Sequence, residues 1–206
     1  MTTSPSSGIG TARPRRRIVA SLLPGRRARR LALALGSTIF LIAIAGLPVF
    51  VFPPPGDPGD ASLVYVIGPP QQERLDLART LRGADRPVPL LISVSDSGTG
   101  HGEARFDAAA LDVCGRRGVT CETPDPFTTA GESRLLDRYD ATHESGKTVV
   151  VTFTPHVART RYIFAKCSAA DVTVVGVDTD MTLFDWVFQY AYQSAAFAKA
   201  WLTPCP

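Results

Sequence analysis

The residues best suited to chemistry form the block that runs from Thr152 to Arg159, directly after an apolar, β-rich run. Thr154 is a favourable N-cap and Pro155 a favourable first helical residue, so a helix is predicted to begin at this strand end. Its free N–H groups and positive dipole end would face a ligand. His156 and Arg159 would share a face of the first turn, and the imidazole could exchange a proton near neutral pH. The block predicts an anion site at Thr152, His156 and Arg159; a capped helix with two solvated polar residues is the alternative.

Two other strand ends carry candidate ligand-binding residues. Gly68 would let a ligand approach the backbone closely, and Arg74 could place its forked guanidinium on a phosphate or carboxylate. Arg74 could equally lie on a solvated helix face or pair with Asp76. The polar loop from Ser93 to Glu103 contains three glycines and could close over a ligand or be a plain surface loop.

Other polar pairs have simpler explanations. Thr129 and Glu132 have the spacing of a capping box, which accounts for both without a ligand. Thr182 and Asp185 have the same spacing, which weakens a metal-binding interpretation of the aspartates just before them. The chain has no G-x-S-x-G nucleophile elbow, no GxGxxG dinucleotide fingerprint and no cysteine spacing that matches a zinc site.

Apolar, β-rich runs alternate with helical patterns throughout the chain after residue 61. Strands are predicted at 62–68, 88–94, 118–122, 147–154 and 171–177, and helices near 70–82, 103–116, 131–145, 155–167 and 182–201. The strands are continuously apolar, which favours burial on both faces of a parallel sheet. The alternation predicts an α/β fold with a doubly wound, mainly parallel five-stranded sheet, in which ligands bind beyond the carboxyl ends of the strands.

A membrane anchor is predicted near the N-terminus. Residues 31–52 form an uncharged run of 22 residues, which as a helix would reach about 33 Å, enough to cross a hydrocarbon core of about 30 Å. Residues 1–30 contain eight arginines and no acidic residue, so the positive-inside rule predicts a cytoplasmic tail there. A Pro/Gly-rich stalk at 53–61 and an extracytoplasmic domain at 62–206 would follow. A signal peptide cleaved near Ala43–Ala45 is the alternative.

Charge and cysteine usage agree with this arrangement. Residues 53–206 hold 14 basic and all 19 acidic residues, a net charge of −5, which disfavours nucleic acid as a partner. All four cysteines follow the apolar run, and an even count in an oxidising compartment suggests two disulfides. Spacing favours Cys114–Cys121 and Cys167–Cys205 among the three connectivities, and free thiols remain the alternative if the topology is different.

The outer domain, about residues 62–200, resembles the ElyC/SanA/YdcF family of bacterial envelope proteins. The family's Val-Thr-x-x-x-His-x-x-Arg block is matched at Val151–Arg159, its first-helix Arg and Ala at Arg74 and Ala78, and its Glu-Ala pair at Glu103-Ala104. Other positions of the family pattern correspond to Gly68, Ser93 and Thr129. The resemblance implies a Rossmann-like, usually membrane-attached domain linked with cell-envelope integrity.

These observations lead to alternative functions. In the first, a single-pass membrane protein holds an extracytoplasmic domain that binds an anionic ligand, such as a phosphate-bearing envelope metabolite or a lipid-linked precursor. Arg74 and Arg159 would hold the ligand's charge, and His156 would be the catalytic acid/base if turnover occurs. In the second, the domain is a non-catalytic envelope scaffold or protein-interaction module. Enzymatic turnover stays open, because no complete catalytic constellation is visible.

Overall fold

A computed structural model describes residues 25–83, 87–96 and 106–206. The chain divides between Phe40 and Leu41 into two units, of which the second runs to Pro206. Helix α1 (Arg26–Gly46) continues through one π-helical turn at Leu47–Val51, where Pro48 cannot donate a backbone hydrogen bond. Within the described residues, Arg26–Val51 is the one helical segment long and apolar enough to cross a membrane.

The second unit is built on a five-stranded, all-parallel sheet, as the continuous apolar runs predict. The strands are β1 (Leu63–Val66), β2 (Leu90–Ser93), β3 (Val119–Glu122), β4 (Thr148–Phe153) and β5 (Val172–Val177). Their order is β3-β2-β1-β4-β5, with β1 paired to both β2 and β4. This is a Rossmann-like arrangement, and the strand order reverses between β1 and β4, where such folds bind ligands.

Four helices of the second unit agree closely with the sequence prediction. They are α2 (Gln72–Arg82), α3 (Thr129–His143), α4 (Val157–Cys167) and α5 (Leu183–Leu202). The Thr182–Asp185 capping box predicted for α5 is present, with both reciprocal hydrogen bonds formed.

The helix predicted near 103–116 is wrong within its described part, residues 106–116. Two 3₁₀ turns occupy this stretch, at Ala108–Ala110 and Asp112–Gly115. Leu111 between them has an extended backbone (φ −107°, ψ 105°), which interrupts any continuous helix. The second turn instead buries Val113 in the core and presents Cys114 to β3.

The core has one layer on each face of the sheet, because successive side chains of a strand point to opposite faces. On β1, Leu63 and Tyr65 belong to the layer formed with α3 and α4, whereas Val64 and Val66 belong to the layer formed with α2. All four residues of β1 have no exposed surface. This burial on both faces explains why the strands carry no alternating polar pattern.

Two pairs of cysteine Sγ atoms lie at disulfide distance, and they are the two pairs that the spacing favoured. Cys114 is joined to Cys121 in β3, and Cys167 at the end of α4 is joined to Cys205 in the C-terminal tail. The second bond therefore ties the segment after α5 to the body of the domain. Such bonds persist in oxidising compartments, which agrees with an extracytoplasmic location.

The segment predicted as a stalk, residues 53–61, lies against the domain. Arg161 of α4 donates from Nη2 to the carbonyls of Pro54 (2.6 Å) and Val174 (3.0 Å). Gly56 is so close to β5 that a Cβ there would lie 2.4 Å from the Val174 carbonyl oxygen. The prolines give an extended chain, but its backbone is bound to the edge of the sheet.

Candidate ligand-binding crevice

An open crevice of about 1530 Å³ lies beyond the carboxyl ends of β1 and β4. Most of the candidate residues from the sequence line it: Gly68, Arg74, Ser93, Thr129, His156 and Arg159. Thr152 lies behind His156 and contacts it. Glu103 lies outside the described residues. The tertiary structure thus brings together side chains from four separate stretches of the sequence, at the place where this fold class binds ligands.

Glu132 is the central residue of the crevice, although the sequence assigned it to a cap. The N-cap of α3 is Thr128, whose hydroxyl accepts a hydrogen bond from the Gly131 N–H (3.1 Å). The predicted capping box of Thr129 and Glu132 is therefore wrong. The N-cap lies one residue earlier, at Thr128, so Gly131 takes the place that the prediction gave to Glu132. Glu132 Oε1 is free of the cap and accepts a hydrogen bond from the Gly68 N–H at 2.7 Å, across the crevice floor.

Close packing at the start of α3 places Glu132. A Cβ on Gly131 would lie 1.8 Å from the Pro126 carbonyl oxygen, so only glycine fits this approach of the helix to the preceding loop. From below, the buried Tyr65 hydroxyl donates to the Glu132 carbonyl oxygen at 3.2 Å. The first turn of α3 is thus held by β1 and by its own N-terminal loop.

The carboxyl group of Glu132 is buried, and this burial raises its pKa from 4.5 to about 7. The Gly68 N–H, the nearby Ser93 hydroxyl and the charges of Arg74 and Arg159 oppose the shift but do not cancel it. A carboxyl group with a pKa near neutrality is suited to give or take a proton in a bound ligand.

Arg74 lies in the first turn of α2, with its side chain at the end of β1, and is only 3% exposed. Its Nη1 donates to the backbone carbonyls of Ile67 (3.2 Å) and Pro69 (2.8 Å), and its guanidinium lies 5.0 Å from the centre of the Phe153 ring. Burial lowers its pKa to about 10, with the Glu132 charge acting in the opposite direction, so Arg74 is cationic at neutral pH. The position confirms that this side chain is not on a solvated helix face.

Two buried polar atoms beside Glu132 have no hydrogen-bond partner of normal geometry among the described residues. They are Nε of Arg74 and Oγ of Ser93, although the Ser93 hydroxyl is close enough to Glu132 to lower the carboxyl's pKa. A buried polar atom left unpaired costs about 1–3 kcal/mol. These atoms are therefore suited to contact water or the polar groups of a ligand.

His156 is held between two threonine hydroxyls. Nδ1 lies 3.0 Å from Thr152 Oγ1, and Nε2 lies 3.4 Å from Thr129 Oγ1. Burial and the charges of Arg159 and Arg74 lower the pKa of His156 well below 6.5, so the ring is neutral at pH 7. A neutral imidazole has one donor and one acceptor nitrogen, which matches two hydroxyl partners. Glu132, with its pKa near 7, is better suited than His156 to exchange a proton near neutral pH.

Arg159 joins the crevice to α5. Its Nε donates to Gln193 Oε1 at 3.0 Å, and its guanidinium lies 5.9 Å from the centre of the Tyr192 ring. Gln193 is fully buried and also donates to Gln189 (3.0 Å), so its amide is fixed in orientation. The sequence analysis missed Gln193 and Tyr192, because both lie in a helix whose apolar residues suggested only packing.

The outer part of the crevice is acidic. Asp178, Asp180 and Asp185 line it near the start of α5, and Asp178 accepts a hydrogen bond from the Thr154 hydroxyl at 2.5 Å. The Thr154 hydroxyl also contacts the carbonyl oxygen of Val177 at the end of β5, at 3.2 Å. It therefore does not serve as the side-chain N-cap predicted for α4. In the described part of the chain, no group of three His, Cys, Asp or Glu side chains is placed to hold a metal ion.

Comparisons with known proteins add no relative. No protein-family model matches the chain, and searches of curated proteins and of solved structures find no significant match.

Proposed function

We propose that this protein is a membrane-anchored, extracytoplasmic domain that binds an anionic, phosphate-bearing envelope ligand in the crevice between β1 and β4. The ligand class includes envelope metabolites and lipid-linked precursors that carry a phosphate. The resemblance to the ElyC/SanA/YdcF family supports a role in cell-envelope maintenance. The lipid bilayer is the second partner, through the N-terminal apolar helix.

The observation that carries the proposal is the convergence of Arg74, Arg159 and Glu132 in one crevice. Both guanidinium groups are charged at neutral pH, whereas Glu132, with a pKa of about 7, is only partly ionised. The neutral His156 adds no charge. The inner crevice is therefore positive, and increasingly so below pH 7, which favours an anion that arginine can contact through two N–H groups.

The location rests on a separate set of observations. The apolar helix Arg26–Val51 is preceded by an arginine-rich, acid-free tail, which favours retention of the tail on the cytoplasmic side. The two disulfides follow this helix in the sequence and favour an oxidising compartment. Together they support placing the α/β domain outside the cytoplasm.

The crevice also has the means for proton transfer if the bound ligand reacts. Glu132 would be the acid/base group, since its carboxyl faces the position where Arg74 and Arg159 would hold an anion. His156, whose two ring nitrogens face the hydroxyls of Thr152 and Thr129, would orient those hydroxyls without changing its own charge. This refines the assignment of His156 as the acid/base residue and leaves it a positioning residue.

Binding is tested by calorimetry on the full chain in detergent micelles, with inorganic phosphate, a sugar phosphate and a polyprenyl phosphate as probes. We expect at least one probe to bind, and Arg159→Gln to weaken that binding at least tenfold. Arg138→Gln, on the exposed face of α3, is the matched control and should bind like the wild type. Absence of binding by all three probes, or equal affinity in the Arg159→Gln variant, would contradict the proposal.

Topology is tested by thiol labelling in intact cells with a maleimide that does not cross membranes. We expect the four cysteines to react only after reduction, and from the outside. Labelling only after cell lysis would contradict the extracytoplasmic placement, and labelling of intact cells without reduction would contradict the disulfides; neither outcome changes the binding result.

A further inference from the structure

Helix α5 has one apolar face that nothing in the described structure covers. Its large exposed side chains are 50–82% accessible: Leu183, Phe184, Val187, Phe188, Tyr192, Trp201 and Leu202. At 3.6 residues per turn, Phe184, Val187, Phe188 and Leu202 lie on the side of the helix opposite the fully buried Gln193, and Leu183 and Trp201 lie about 80° from it, at the edge of the same stripe. The two charged residues of the helix, Asp185 and Lys199, instead line the crevice. So many exposed, large apolar side chains at the two ends of one helix are unusual on a surface that faces water.

The same helix is attached to the outer end of the apolar segment. Tyr190 donates its hydroxyl to the Ala43 carbonyl oxygen at 3.1 Å, and its ring packs edge-on to Phe50 at 5.1 Å between centres. Gly46 makes this possible, because a Cβ there would lie 2.3 Å from the Tyr190 ring. Residues 43–50 and the middle of α5 therefore lie side by side.

The length of the apolar segment indicates how deep in the bilayer the contact between Tyr190 and residues 43–50 lies. The last arginine before the segment is Arg30, and a helix needs about 20 residues to cross the hydrocarbon core. The stretch from Leu31 to Ile42 would cover only about 18 Å of the roughly 30 Å required. The outer leaflet must then extend over residues 43–50. Tyr190, which contacts these residues, is placed at the same level.

We infer that α5 lies within the outer leaflet of the bilayer, with its apolar stripe against lipid. The inference rests on the membrane anchoring proposed above. A helix can enter this region because its backbone hydrogen bonds are internal, and its aromatic side chains suit the interface. The bilayer is favoured over a second copy of the chain, because Tyr190 of the same helix contacts the segment that enters the membrane.

The inference is tested by tryptophan quenching in the full chain, reconstituted in phosphatidylcholine vesicles with brominated acyl chains. The chain has two tryptophans, and Trp186→Phe leaves Trp201 as the probe within the stripe. In a Trp186→Phe/Trp201→Phe background, Phe188→Trp probes the stripe, Arg138→Trp probes the exposed face of α3, and Phe40→Trp probes the apolar helix. We expect Trp201 and position 188 to be quenched by bromines near the headgroups at least threefold more than position 138.

The outcomes separate the inference from the anchoring on which it depends. Strong quenching at position 40 with none at position 188 or Trp201 would overturn the inference and leave the anchor intact. No quenching at position 40 would contradict the anchor itself. If position 188 is shielded from aqueous iodide and is also unquenched by bromolipid, protein covers the stripe, and a second copy replaces the bilayer as its partner.

Discussion

Glu132 accepts a hydrogen bond from the backbone N–H of Gly68, a residue 64 positions earlier in the chain, at 2.7 Å. This contact joins the first turn of α3 to the end of β1, at the point where the strand order of the sheet reverses. It places a carboxyl group whose pKa is raised to about 7 within the electrostatic influence of Arg74 and Arg159. The position of Glu132, the proton-exchanging group, is therefore linked to the end of β1, where the side chain of Arg74 also lies.

Glu132→Gln should change how stability depends on pH. Between the unfolded pKa of 4.5 and the folded pKa of about 7, the folded protein holds a proton that the unfolded chain has lost. The contribution of Glu132 to stability is thus largest below pH 4.5 and is lost as pH rises toward 7, by on the order of 3 kcal/mol. The variant keeps the acceptor for Gly68 but removes this loss. Urea unfolding of the full chain in micelles from pH 4.5 to 8 measures it.

The control for this prediction is Glu122→Gln, which removes a carboxylate from an exposed position at the end of β3. It should retain the wild-type dependence of the unfolding free energy on pH between pH 5 and 7. An identical pH slope in the Glu132→Gln protein and the wild type would show that Glu132 ionises at its ordinary pKa.

His156 should destabilise the fold in acid. Its folded pKa is lowered well below 6.5, so below pH 6.5 the unfolded chain gains a proton that the folded protein does not. This removes about 1.4 kcal/mol for each pH unit below 6.5 until the folded pKa is reached. In His156→Gln this loss is absent, so the rise in stability toward acid due to Glu132 should become steeper. His143→Gln, on the exposed end of α3, is the matched control, and an unchanged slope in His156→Gln would refute the prediction.

Gly131→Ala should destabilise the domain strongly. The added methyl group would lie 1.8 Å from a backbone oxygen of Pro126, which cannot rotate away as a flexible side chain could. We expect a loss of about 3 kcal/mol or more, at the upper end for overpacked sites. Gly115→Ala, where a Cβ meets nothing within 4 Å, should change stability by less than about 0.5 kcal/mol. Similar unfolding free energies for both variants would contradict this account of the α3 start.

The two disulfides should contribute unequally to stability. Cys167–Cys205 closes a loop with a sequence separation of 38, and Cys114–Cys121 one with a separation of 7. Loop-closure entropy assigns about 4 kcal/mol to the longer loop and about 2 kcal/mol to the shorter one. Paired Cys→Ser variants at each bond, compared by urea unfolding, measure the difference. A larger loss at Cys114–Cys121 would show that the chain-entropy account does not apply here.

The main elements of the fold follow from local pattern. Five continuous apolar runs became five parallel strands, each within two residues of its predicted ends, because burial on both faces leaves a direct trace in the sequence. Helical patterns likewise located α2, α3, α4 and α5, each within two residues of its predicted ends. The exception is residues 106–116, where helical spacing was outweighed by the burial of Val113 and the link from Cys114 to β3.

The candidate site was only partly predictable. His156 and Arg159 were found because a strand end, a proline and three-residue spacing are local signals. Glu132 was assigned to a cap, because Thr129 and Glu132 have the spacing of a capping box. The true N-cap is Thr128, one residue earlier. No sequence pattern indicated Gln193, whose side-chain oxygen accepts the hydrogen bond that fixes Arg159.

The sequence by itself determined the apolar N-terminal segment, the parallel sheet and the favoured cysteine pairs, since each depends on composition or on residues close together in the chain. Only the tertiary structure decided which side chains share the crevice, how far burial shifts their pKa values, and that α5 lies against residues 43–50. These features depend on contacts between distant segments, and such contacts are fixed by packing in three dimensions, not by any periodicity that a single stretch of sequence records.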